Sequence, residues 1–216
     1  MPSQSVGTGY LIVPGEGSGP GILVLHAWWG LTPFFKGLCD RLADHGFVAL
    51  APDLYGGRTT SDPEEAKALL ANADMDATLE LVRSSLLTLR RMPVTPDAPV
   101  GVLGFSMGAS WALWLAGRMP ELVDATTVFY GSQSIDMAPA RSAFLGHFAE
   151  TDPWVSDDEL TLLESELHVL DKDVTFYRYP GTGHWFFEAD QPAYDEVAAR
   201  LAWDRTLEFF QAHLGG

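Results

Sequence analysis

Two patterns of apolar residues alternate along the chain. Short apolar runs that end at Gly or Pro are typical of buried strands, and longer segments with apolar residues at helical spacing are typical of amphipathic helices. The first pattern predicts strands at Tyr10–Val13, Gly21–Leu25, Phe47–Ala51, Val100–Gly104, Ala125–Tyr130, Ala143–Ala149 and Val174–Tyr179. The second predicts helices at Phe34–His45, Pro63–Ala71, Asp76–Arg91, Ser106–Arg118, Ser156–Leu170 and Pro192–His213.

This alternation predicts an α/β fold with a mostly parallel sheet and helices on both faces. We expect Tyr10–Val13 to be an edge strand, because it ends at Pro14 and a glycine-rich segment. No connection is long enough for a separate cap domain, so residues 1–216 form one domain whose site is roofed by loops. That site should lie beyond the carboxyl ends of the strands.

Composition narrows the class of protein. With 47% hydrophobic and 19% charged residues the chain resembles ordinary globular domains, and a net charge of −16 argues against nucleic acid or anionic membranes as partners.

Neither a signal peptide nor an apolar membrane span is visible, which favours the cytoplasm. Cys39 is the only cysteine and should be a buried, inert thiol. The sequence leaves open whether the protein is a monomer or a small homo-oligomer.

The segment Gly104-Phe105-Ser106-Met107-Gly108 carries the strongest chemical signal. It matches the pattern G-x-S-x-G between a predicted strand and a predicted helix, in which a serine is held on a strained turn. A side chain at either glycine would collide with neighbouring backbone. Ser106 is therefore a candidate nucleophile.

A nucleophilic serine needs a base, and in this type of fold the base follows it in the order Ser, Asp or Glu, His. Of the later histidines, His147 lies in a predicted strand, whereas His168 and His213 lie in predicted helices. Only His184 lies in a loop directly after a strand, so it is the candidate base.

The acid that orients this base should also follow a strand. Asp152 does so, and Glu150 is the alternative; Asp157 and Asp158 are explained as acids in the first turn of a helix that Ser156 caps. The negative charge that develops on the oxygen of the attacked carbonyl group must be stabilised by backbone N–H donors. One is the amide of Met107, and the other should come from the loop 26–30, where we expect His26 to be structural.

Four stretches give the chain a family resemblance: residues 26–57, 101–110, 146–155 and 179–210, which include HAWWGLTPFF, GVLGFSMGAS, GHFAETDPWV and YPGTGHWFFE. With these stretches the chain resembles the dienelactone hydrolase family of α/β-hydrolases along nearly its whole length. The resemblance implies that fold, places the triad on Ser106, Asp152 and His184, and gives the second oxyanion donor as the backbone N–H of Trp28.

Three positions depart from the family pattern. Dienelactone hydrolases carry a cysteine where this chain has Ser106, and a glutamate where it has Ala27. Their substrate-binding arginine, four residues after the histidine, corresponds to Glu188, which as an acid would repel an anionic substrate. Arg58 is the one nearby candidate left to bind a carboxylate.

Aromatic residues crowd the loops that should surround the site, and we expect some of them to line it. Together with Arg58 and Glu188, the candidate substrate contacts are Trp29, Phe34, Trp154 and Trp185. Such walls favour a neutral, apolar or aromatic ester.

The sequence thus predicts a serine hydrolase of small esters or lactones that works through an acyl-enzyme and needs no cofactor or metal. No two histidines have ligand-like spacing, and the glycines do not form a dinucleotide-binding G-x-G-x-x-G. Two alternatives stay open: an inactive binding protein with a hydrolase fold, and a true dienelactone hydrolase.

Overall fold

Strands and helices alternate through the computed structural model, which describes residues 4–5, 9–95 and 100–215. The strands are β1 Gln4–Ser5, β2 Gly9–Ile12, β3 Gly21–Leu25, β4 Val48–Pro52, β5 Val100–Phe105, β6 Val123–Phe129, β7 Ala143–Thr151 and β8 Val174–Gly183. The helices are α1 Pro33–Asp44, α2 Pro63–Ala71, α3 Met75–Arg91, α4 Met107–Arg118, α5 Asp157–Val169 and α6 Glu196–Leu214.

The eight strands form one sheet in the order β1-β2-β4-β3-β5-β6-β7-β8. Strands β3 to β8 run parallel, and β1 and β2 extend the sheet antiparallel at one end. The predicted α/β fold with a mostly parallel sheet is confirmed. The expected edge position of Tyr10–Val13 is wrong, because β1 pairs with the outer side of β2. A two-residue strand is too short to leave a periodic signal.

Helices cover both faces of the sheet, as predicted. Because side chains alternate along a strand, Ile22 and Val24 of β3 pack against α1 and α6, whereas Leu23 and Leu25 pack toward α3, α4 and α5. Cys39 is buried in the first of these layers, and burial raises the pKa of its thiol. None of the helices in the described residues has the length and apolar character that a membrane span needs.

Helix boundaries follow the capping residues. Ser156 and Glu159 form the predicted capping box of α5, in which each side chain accepts from the other's backbone N–H. Helix α3 begins at Met75, one residue earlier than predicted, because the Asp74 side chain caps it by accepting from the Ala77 amide. Helix α6 begins at Glu196, later than predicted, because the Asp195 side chain caps it.

Candidate active site

The carboxyl ends of four parallel strands meet at one edge of the sheet, and each leads into a loop or turn that carries a predicted site residue. Ser106 follows β5, and Asp152 and His184 follow β7 and β8. Trp28 lies in the loop after β3, which pairs directly with β5. The topology therefore brings together residues that are far apart in sequence.

Ser106 lies on a strained turn between β5 and α4. Its φ of 51° and ψ of −112° are unusual for a residue with a side chain. A Cβ at Gly104 would meet the carbonyl oxygen of Gly108, and one at Gly108 would meet that of Leu25. Gly131, which the sequence did not single out, is equally required, because its Cβ would lie 2.6 Å from the Ser106 carbonyl oxygen.

A continuous hydrogen-bonded chain joins the three predicted triad residues. Ser106 Oγ lies 3.0 Å from His184 Nε2, and His184 Nδ1 lies 2.7 Å from Asp152 Oδ2. Because a carboxylate can only accept, Nδ1 carries the proton and Nε2 is left to accept from the serine hydroxyl. The His184 and Asp152 side chains are both buried, which keeps this geometry fixed.

Backbone amides hold the carboxylate of Asp152 in place. Its Oδ1 accepts from the amides of Trp154 at 2.8 Å and Val155 at 3.2 Å. Glu150, the alternative acid, is exposed and accepts instead from the amide of Gly181, 2.8 Å away near the end of β8. The structure therefore brings Asp152, and not Glu150, to the histidine.

Two backbone amides near Ser106 are available to bind an anion. The amides of Trp28 and Met107 have no hydrogen-bond acceptor among the residues that the structure describes. That of Met107 lies at the N-terminus of α4, where the helix dipole also favours negative charge. This pair has the chemistry that an oxyanion hole requires.

His26 fixes the orientation of the peptide that carries the Trp28 amide. Its Nδ1 donates to the Ala27 carbonyl at 2.7 Å, and its Nε2 accepts from the Leu54 amide at 3.1 Å. Because the peptide is trans, the Trp28 N–H points away from the donors that hold the Ala27 oxygen. Burial lowers the pKa of His26 to about 4, so the ring is neutral and structural, as predicted.

A cavity of about 280 Å³ surrounds Ser106 and His184. Its walls include the expected Trp154 and Trp185 together with Trp28. The rings of Trp28 and Trp185 stack at 5.7 Å, and Trp154 packs edge-on against Trp28 while 57% of its surface stays exposed at the rim. Three indole rings therefore form one side of the cavity.

Three other expected substrate contacts do not line this cavity. Trp29 is buried behind Trp28 and Trp185. Phe34 packs against Phe35 and Phe187 instead of facing the cavity. Arg58 is exposed, and its Nε donates to the Tyr55 carbonyl at 3.4 Å. Trp29 is adjacent to Trp28 in sequence, but successive side chains in that loop point in different directions.

Glu188 is also absent from the cavity wall, which corrects the expectation that it repels an anionic substrate there. Only 1% of its surface is exposed, and its carboxyl group accepts from the Tyr130 hydroxyl at 2.6 Å. Burial raises its pKa to about 8, opposed by the Tyr130 hydrogen bond. Two successive turns, closed by the amides of Glu188 and Gln191, carry it away from the cavity.

Two residues of the cavity wall, Leu70 and Ser110, were not predicted from the sequence. Leu70 comes from α2, so the site is not roofed by loops alone. Ser110 lies four residues after Ser106 on α4, and that helical spacing could have revealed it. Tyr130 was also missed; its ring lies 4.9 Å from that of His184.

Among the described residues there is no cluster of His, Cys, Asp or Glu that could hold a metal ion.

The fold and this serine-centred site define an α/β-hydrolase. The chain matches the model of the dienelactone hydrolase family over residues 8–214, and it belongs to that family of hydrolases. It is 35% identical to the protein usf of Aquifex pyrophilus, covering 95% of this chain and 93% of that one. It is 28% identical to carboxymethylenebutenolidase 1 of Cupriavidus pinatubonensis, covering 92% and 88%.

The architecture also occurs in solved structures. A dienelactone hydrolase-like promiscuous phosphotriesterase from metagenomic libraries superposes with a TM-score of 0.84 and 24% identity, covering 96% of this chain and 92% of the other. At this level of identity the likeness concerns the fold.

Proposed function

We propose that the protein is a serine hydrolase that cleaves small, neutral carboxylic esters and lactones through an acyl-enzyme. The observation that carries the proposal is the hydrogen-bonded chain from Ser106 Oγ through His184 to Asp152, with the serine held on a strained turn. Membership of a hydrolase family supports it.

The geometry supports a two-step reaction. His184 Nε2 takes the proton of Ser106 as Oγ attacks the carbonyl carbon, and Asp152 stabilises the imidazolium that forms. The amides of Trp28 and Met107 bind the oxyanion, and His184 then protonates the departing alkoxide. A water molecule, activated by the same histidine, hydrolyses the acyl-enzyme. In a lactone the alkoxide stays attached to the acyl group, but the bonds made and broken are the same.

Charge favours a neutral substrate. None of the eight lining residues in the described part of the chain is Arg or Lys, so a substrate carboxylate would find no cationic partner among them. The chain's net charge of −16 would also repel anions at long range. The indole walls formed by Trp28, Trp154 and Trp185 suit apolar or aromatic groups.

The nucleophile can be tested directly. We expect Ser106→Ala to lower kcat for p-nitrophenyl acetate by about 10³-fold or more, because the acyl-enzyme can no longer form. A fluorophosphonate probe should label the wild-type protein at Ser106 and leave the variant unlabelled. Ser165→Ala, on the exposed side of α5, is the matched control and should keep wild-type activity. Full turnover by Ser106→Ala would disprove the mechanism.

Hydrolysis of an acidic dienelactone is the second candidate, favoured by the relative named carboxymethylenebutenolidase 1. It requires the same triad but needs a cation for the substrate carboxylate. Rates on a dienelactone and on neutral lactones of similar size therefore distinguish the two candidates. A binding protein without activity would give neither turnover nor labelling.

A further inference from the structure

A second cavity, of about 330 Å³, lies beside the catalytic one. It is formed by the corner between α2 and α3, by α4 and by the loop after β4. Its walls are mainly apolar and include Leu54, Leu79, Trp111 and Trp114. Its volume falls in the range of pockets that hold organic ligands.

The two cavities adjoin at the start of α4. Leu70, Met107 and Ser110 line both of them, so the second cavity begins where the catalytic one ends. Ser106 and His184 line only the catalytic cavity, together with Trp28, Trp154 and Trp185. The catalytic cavity therefore has an indole side and a side that continues into the second cavity.

The chemistry decides which part of an ester lies on each side. His184 Nε2 must reach the leaving oxygen to protonate it, so the alcohol group lies near His184 and its neighbour Trp185. The substituent on the carbonyl carbon then extends in the other direction, past Met107 and Ser110. That direction leads into the second cavity, which shares Met107 and Ser110 with the catalytic one.

The walls also restrict the charge of that acyl group. Among the described residues that line the second cavity, Asp76 is the only charged one, and none is Lys or Arg. The Tyr55 hydroxyl, one of the few polar groups there, donates to Met107 Sδ at 3.2 Å. An acyl chain that ends in a carboxylate would meet an acid and no base.

We propose that the second cavity is the acyl-binding site, and that the protein prefers neutral esters with a medium-length alkyl or an arylalkyl acyl group. This inference rests on the proposed serine hydrolase function. It goes further because it assigns opposite sides of Ser106 to the acyl and alcohol groups.

The wild-type protein provides the first test. p-Nitrophenyl esters of acetate, butyrate and hexanoate share a leaving group, so differences in kcat/KM report on the acyl group. Each methylene that becomes fully buried should raise kcat/KM by about fourfold, and we expect at least about a tenfold gain from acetate to hexanoate. Lengthening the alcohol of alkyl acetates should give no comparable gain. If kcat/KM stayed constant or fell from acetate to hexanoate, the inference would be overturned.

Filling the second cavity is the second test. Ala73, at the corner between α2 and α3, lines it without lining the catalytic cavity. Ala73→Phe should lower kcat/KM for hexanoate by about tenfold and leave acetate within about twofold, because the extra ring occupies the place of several methylenes. Ala77→Phe, exposed on α3 and outside both cavities, is the matched control and should behave as wild type.

A second variant distinguishes filling of the cavity from misfolding of the protein. Leu79→Trp fills the same cavity from α3, and the thermal unfolding midpoint of each variant shows whether it is folded. An equal loss on acetate and hexanoate in folded variants would contradict the assignment. Absence of all ester turnover and of Ser106 labelling would overturn the proposed function as well. Normal Ser106-dependent acetate hydrolysis with a flat acyl series would overturn the acyl-binding site alone.

Discussion

The carboxyl group of Glu188 is buried beside Tyr130, which contacts His184. It accepts from Tyr130, whose ring lies against His184. Burial raises its pKa to about 8, and Asp190 adds to this effect. The folded protein therefore keeps Glu188 protonated at a pH where the unfolded chain has already released that proton, so this group lowers stability as pH rises from about 4.5 to about 8.

Glu188→Gln removes this pH dependence while keeping an oxygen that can accept from Tyr130. Relative to wild type, the free energy of unfolding of the variant should rise by about 3 kcal/mol between pH 5 and pH 7.5. Urea unfolding at the two pH values measures this. Glu208→Gln, on the exposed side of α6, controls for the loss of one acidic residue. If the difference in free energy of unfolding between Glu188→Gln and wild type were the same at both pH values, the prediction would be refuted.

At the scale of elements, the turn from β5 to α4 depends on close backbone contact. Gly108 is the residue that lets α4 start against the end of β3, because a Cβ there would meet the carbonyl oxygens of Leu25 and His26. The same contact sets the position of the Met107 amide relative to Trp28. The stability of this turn and the geometry around Ser106 are therefore coupled.

We expect Gly108→Ala to lower the free energy of unfolding by about 1–3 kcal/mol, because the backbone must shift to admit the methyl group. Activity on p-nitrophenyl acetate should fall by about 10²-fold, because the serine and the Met107 amide move with the helix. Gly37→Ala is the matched control: it lies in α1 with no atom within 4 Å of the added Cβ, and should gain up to about 1 kcal/mol. Wild-type activity in Gly108→Ala would show that the turn can relax without cost.

The corner between α2 and α3 is the element whose role the sequence did not reveal. Its two helices were predicted, with α2 at its observed bounds. Their helical pattern reports only which residues face the core. Leu70 and Met75 stay partly exposed at this corner, where they contribute to the cavity walls beside Ser106. Periodicity does not indicate which other element an exposed apolar residue approaches.

At the scale of the whole molecule, the sheet is most protected at its centre. Every residue of β3 and β5 is buried, and each strand pairs with a parallel neighbour on both sides. Strand β8 forms one edge of the sheet, and most of its residues are partly or fully exposed.

Backbone amides of β3 and β5 should therefore be the last to exchange with deuterium, since their exchange requires global unfolding. Amides of β8 should exchange earlier, through opening of the edge. Peptide-resolved hydrogen exchange followed by mass spectrometry measures both in one experiment. Earlier exchange in β3 than in β8 would contradict this ordering of local stability.

Patterns in the chain were enough to predict the alternation of elements and the strained turn at Ser106. Chain order then pointed to Asp152 and His184. Each of these depends on local pattern or on a residue's position directly after a strand. Three features became visible only in the folded protein: Glu188 turns inward, Trp29 and Phe34 do not line the cavity, and Leu70 does. Side-chain direction and contact between distant elements depend on packing, and packing leaves no periodic pattern in a single chain.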